Sequence, residues 1–158
     1  MKKHTIKLRA VGFLRGERGT QLVELALVLP IMLMLLASIA EFGNFFYTYS
    51  TLSKATRGGA RYLTSRPFTA NEQLKAASLA VYGDANAGCM GEPVLKGLTC
   101  GNIKVKGVDG SLGYPNVVNV RVDSFVYQPL FDLGKLTNQT ITLKVPVAPS
   151  TTMKYLLF

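Results

Sequence analysis

The sequence carries nine carboxylates, one histidine and two cysteines with which to do chemistry. The histidine, His4, lies in a basic N-terminal tail, so no imidazole is placed to serve a serine or cysteine nucleophile. The six acids beyond Glu41 (Glu72, Asp84, Glu92, Asp109, Asp123 and Asp132) are scattered without metal-ligand spacing. No glycine loop leads into a helix and lysine as a phosphate cradle would. The expectation is therefore a protein with no catalytic residues, no metal and no cofactor. What remains is one unusual carboxylate and one pair of thiols. Glu24 stands in "GTQLVELALVLP", residues 19–30, and the run from Leu25 to Ala40 behind it holds no charge. A carboxylate near a bilayer centre is costly and needs a cation or a hydrogen-bond donor. At the rim of the apolar run that cost falls, and a rim position is the competing reading of Glu24.

The thiols, Cys89 and Cys100, lie in the Gly-rich segment "GCMGEPVLKGLTCG", downstream of the apolar run. If that side is extracytoplasmic, a disulfide is the natural expectation, and closing so short a loop stabilises by about 2–4 kcal/mol. Free thiols are the alternative. A metal site lacks further ligands, since His4 is far away in the tail.

These groups need elements to position them. Leu22 to Ala40 is long enough to span a bilayer at ~1.5 Å per helical residue. Pro30 removes a backbone donor and crowds the carbonyl of Ala26, so a kink is expected there if the helix continues. Beyond it, Leu52, Ala55, Gly59, Tyr62 and Leu63 recur at helical spacing, while Lys54, Arg57 and Arg61 form a basic stripe on another face. Pro67 ends this continuation. From Thr20 to Arg66 the helix would run about 70 Å, of which the bilayer core takes only about 30 Å. Gly58-Gly59 reads as a hinge or a close-packing point. A second helix is expected at about Asn71 to Tyr82, with Leu74, Ala77, Ser78 and Val81 as its stripe and Gly83 as its stop.

The period then changes to two. "NIKVKGV" sets Ile103 and Val105 against Lys104 and Lys106, Asp109-Gly110 marks a turn, and "VVNVRVDSFVY" sets Val118, Val120 and Val122 against Asn119, Arg121 and Asp123. "TITLKVPV" places Ile141, Leu143, Val145 and Val147 on one face. Three such strands make a small antiparallel sheet whose dry face needs cover. The fold class is thus α+β: a long N-terminal helix, transmembrane and then amphipathic, packed on a small antiparallel sheet, with a short second helix.

Charge sets the topology. The chain has 158 residues and a formal net charge of +9, but six of its basic residues (Lys2, Lys3, Lys7, Arg9, Arg15 and Arg18) fall before residue 19, against the single acid Glu17. A basic tail directly before an apolar run is an orientation signal that stays cytoplasmic, and this placement argues against a nucleic-acid partner.

"RGTQLVELALVLPIML" followed by "ATRGGARYL" resembles the TadE-like family of pseudopilins, or minor pilins, of the tight-adherence (Flp, type IVb) pilus. The resemblance rests on Arg18, Gly19, Val23, Glu24, Leu25, Leu29 and Pro30, then on Ala55, Arg57, Gly59, Ala60 and Arg61. Leu25 stands where many relatives carry an aromatic. The later "VVNVRVDSFVYQPLF" and "ITLKVPVAPSTTMKY" are similar in style to the family's closing strands. The resemblance implies a basic prepilin leader over 1–19, cut between Gly19 and Thr20 by a prepilin peptidase. It implies a transmembrane helix over 20–46 in the lipid bilayer of a bacterial inner membrane, and an extracytoplasmic pilin-like domain over 47–158. Its implied partners are other pilin and pseudopilin subunits and the inner-membrane pilus assembly platform, and its implied role is pilus assembly or priming. In that setting Glu24 is the assembly carboxylate, facing the new N-terminal amine of a neighbour. Two other readings stay open: a Sec signal peptide cut after Ala40, releasing a binding or adhesion domain, and a plain anchor left uncut.

Overall fold

The computed structural model describes residues 17–108, 110, 114–131 and 143–156. Residues 1–16 of the basic tail, with His4, Asp109 of the expected turn and Ile141 of the expected third strand lie outside the described residues. Six elements follow one another: helix α1 (Glu17–Thr64), helix α2 (Ala70–Tyr82), a 3₁₀ turn (Cys100–Asn102), and strands β1 (Ile103–Val108), β2 (Val117–Val122) and β3 (Ser150–Lys154). The fold is α+β, as the alternating periods require. The chain divides after Ile39 into two compact units.

In the first unit α1 passes through Pro30 without ending. Its apolar side chains, among them Leu22, Leu25, Leu27, Ile31, Met34 and Leu36, are exposed. None of its apolar stretch is buried, and α1 is long and apolar enough to cross a membrane. The Ser38 hydroxyl donates to the Met34 carbonyl at 2.8 Å, which satisfies it within the helix itself.

The second unit, Ala40–Phe158, holds the core. The sheet has the order β1-β2-β3, antiparallel throughout, with Val105 opposite Val120 and Asn119 opposite Thr152. Val118, Val120 and Val122 on the inner face of β2 are fully buried. Thr48, Leu52, Thr56, Ala60 and Leu63, spaced three or four apart on α1, are buried on the same side of the unit, whereas Lys54, Arg57 and Arg61 are exposed. Gly59 settles the choice between hinge and close packing. A Cβ there would lie 3.0 Å from the Ala76 carbonyl, 3.5 Å from Ala80 Cβ and 3.6 Å from Val120 Cγ1. The backbone of α1 therefore rests directly on α2 and β2, while Gly58 next to it faces open space.

Helix α2 starts at the Thr69 cap, whose hydroxyl accepts from the Glu72 N–H, and stops at Gly83, which takes the left-handed conformation (φ 75°) and donates to the Leu79 carbonyl. Its buried face is Ala76, Ala77, Ser78, Ala80 and Val81. Leu74, expected in that stripe, is exposed instead. The approach of Gly59 brings the small residues Ala76 and Ala80 to the centre of the contact and turns Leu74 outward.

The third strand also differs from expectation. Leu143 to Val147 forms no ladder beyond a single bridge between Val126 and Pro146; Leu143 and Val145 are exposed, whereas Val147 is buried. Pro146 has no N–H to give a ladder. The sheet is completed by β3, "STTMK", a half-exposed edge strand. Its Thr151 Oγ1 lies 3.0 Å from Thr56 Oγ1, tying the sheet edge to α1 by a hydroxyl pair rather than by apolar alternation.

Candidate functional site

The residues with chemical interest fall on α1 and its contacts. A Cβ on Gly19 would meet nothing within 4 Å among the described residues, and Thr20, Glu24 and Leu25 are exposed. Glu24 has no hydrogen-bond or ion-pair partner among the described residues. Its neighbours one turn on, Leu27 and Val28, are exposed apolar residues. An acid so placed is unmatched among the described residues and open to an external cation. Pro30 lies six residues further along, in the same helix. It leaves the carbonyl of Ala26 without its usual helical donor.

The second carboxylate of interest escaped the sequence reading. Glu41 follows the uncharged run directly and looked only like its boundary. In the second unit it binds the segment from Tyr127 to Phe131. Tyr127 Oη donates to Glu41 Oε1 at 2.7 Å, and the backbone N–H groups of Leu130 and Phe131 donate to Oε2 at 2.9 and 3.2 Å. Asn44 Nδ2 donates to Tyr127 Oη at 2.7 Å, and the Phe45 and Tyr127 rings meet edge to face with centroids 5.3 Å apart. Burial, and then the bond to the Glu41 carboxylate, push the Tyr127 hydroxyl up to about 12. The partners are 86 to 90 residues away in sequence, so no local pattern announces them.

A third acid, Glu72, joins the two helices. It accepts from Tyr62 Oη at 2.7 Å and pairs with Lys75 at 2.9 Å. The Lys75 ammonium, then the Tyr62 hydroxyl, hold its carboxyl below the usual range. Cys89 and Cys100 are joined by a disulfide, which ties the loop after α2 to the 3₁₀ turn before β1. No group of three or more His, Cys, Asp or Glu among the described residues is arranged to hold a metal ion.

Gly19, Glu24, Pro30, Gly59 and Arg61 thus lie along one helix. The sequence model of the family described as TadE-like protein matches residues 19–61, from that glycine to that arginine. Residues 19–61 are a TadE-like segment. No curated protein and no solved structure matches the chain. The TadE-like segment is nearly all of α1, and α2 and the sheet lie beyond the match. Within it, the block "ATRGGAR" has a plain physical division of labour. Gly59 and Ala60 are buried where α1 touches α2 and β2, and Arg57 and Arg61 face outward. The apolar helix is the chain's candidate membrane anchor.

Proposed function

We propose that this protein is a minor pilin that assists assembly or priming of a tight-adherence pilus, after a prepilin peptidase cuts between Gly19 and Thr20. The observation that carries this reading is Glu24: an exposed carboxylate, without a partner among the described residues, on an apolar helix inside the TadE-like segment. The cut acts on Glu24 in two ways. It creates an ammonium at Thr20, and in a neighbouring subunit that ammonium is the cation Glu24 lacks. An ion pair in a low-dielectric setting is strongly selective for its partner's position, so the pair sets the register between helices. The cut also turns a mid-helix residue into the fifth of a new helix, close to the positive end of the macrodipole, where a carboxylate is favoured. The basic leader keeps the cleavage site on the cytoplasmic face, and the second unit is carried across.

Glu24→Ala tests this role. The variant is expected to remain membrane-inserted, because it removes a charge from an apolar helix, and to lose incorporation into pili. Unchanged incorporation and piliation with the variant would rule out the assembly role of Glu24.

A further inference from the structure

Glu41 is the only charge between Leu25 and Ser53, and the segment Ser124 to Phe131 that it holds has none. Its carboxylate is occupied by three donors of the chain itself, so it does not depend on water for its partners. Around it the surface is apolar. Phe42 and Phe46, one turn apart and in edge contact at 5.0 Å, are 64% and 56% exposed. Leu130 and Phe131, whose N–H groups are the ones pinned to Glu41, are 59% and 42% exposed. A loop that faced water would have little reason to present two consecutive large apolar side chains. Segments that lie at a membrane surface bury phenylalanine and leucine side chains at the boundary between acyl chains and head groups.

We propose that the loop from Tyr127 to Phe131 is a membrane-interface foot. Clamped to Glu41, it inserts Leu130 and Phe131 beside Phe42 and Phe46 into the leaflet on the domain's side of the bilayer. This rests on the reading of α1 as a membrane anchor. The occupant is lipid rather than another protein because the patch continues the uncharged run: Glu41 is the next residue after Ala40 in the chain, and both of its carboxylate oxygens already accept hydrogen bonds from the chain. Glu41 is a positioning residue here. It holds a distant loop beside the residues that directly follow the apolar run.

The chain has no tryptophan, so Phe131→Trp supplies a single reporter. The full chain carrying it is reconstituted into phosphatidylcholine vesicles in which part of the lipid is brominated near the head-group end of its acyl chains. A side chain ~5–10 Å into the boundary is within reach of those bromines, and about half of its emission is expected to be lost. Adding Glu41→Ala should abolish most of that loss, and so should Leu130→Glu, which alters an exposed side chain and leaves the fold intact. Vesicle flotation is run in parallel. A chain that floats while the introduced indole is unquenched overturns the foot, whether that indole is open to aqueous iodide or shielded by a second copy. Quenching that survives both second substitutions also overturns it. A chain that fails to float overturns the anchor reading beneath it.

Discussion

The phenol of Tyr127 donates to the carboxylate of Glu41 across 2.7 Å, joining the start of the folded unit to a segment 86 residues further on. The tyrosine ring is buried and keeps Asn44 as a second hydroxyl partner. Bonds to an ionised acceptor are stronger than neutral ones, so Glu41→Ala is expected to destabilise the second unit by about 2 kcal/mol, and Tyr127→Phe by about 1–2 kcal/mol. Because both remove the bond between Tyr127 and Glu41, the double variant should lose less than the sum. Urea unfolding of the full chain in detergent measures all three.

The same pair sets an alkaline limit. The folded-state value for Tyr127 lies near 12, above the ordinary 10.0, so folding favours the protonated hydroxyl. That contribution is fully present below about pH 10 and is lost as the pH rises through about 12. Tyr62, through its bond to Glu72, and Tyr155, through burial, are raised in the same direction. Tyr127→Phe is therefore expected to shallow the alkaline fall in stability without abolishing it. An identical fall in both proteins would show that Tyr127 does not contribute to it.

Adjacent glycines on α1 should respond oppositely. A Cβ on Gly58 meets nothing within 4 Å, so Gly58→Ala gains helix propensity and should stabilise by about 0.5–1 kcal/mol. At Gly59 a Cβ already lies 3.0 Å from the Ala76 carbonyl, and Gly59→Leu would push α1 from α2 and β2 at a cost of at least about 2 kcal/mol. Thermal unfolding of the two variants should move the midpoint in opposite directions.

The disulfide between Cys89 and Cys100 closes a short loop next to α2. Replacing both cysteines by serine is expected to lower stability by about 2–4 kcal/mol, read as a lower urea midpoint, with reduction of the parent chain giving a loss of similar size.

Much of this architecture was legible because its signals are local. Val118, Val120 and Val122 alternate and are buried; Gly83 stops α2 where a left-handed cap is needed; Gly59 marks a close approach. The motif around Glu24 is legible for the same reason, since Gly19, Glu24 and Pro30 lie within a few helical turns. The failures are non-local. Strand β3 shows no apolar alternation because it is an edge strand, and one of its ties to α1 is the hydroxyl contact between Thr151 and Thr56, 95 residues apart. Leu74 has the right spacing to be buried, but the backbone contact at Gly59 decides which face of α2 turns inward. Glu41 looks like a boundary until its partners at 127, 130 and 131 are known.

The central claim is that this chain is processed as a prepilin. Intact-mass spectrometry of the protein recovered from its native membrane tests it most directly. A mature chain beginning at Thr20 is the expected result. A chain beginning at Met1 would mean an uncut anchor, one beginning at Glu41 would mean ordinary secretion of the second unit, and either would contradict the account.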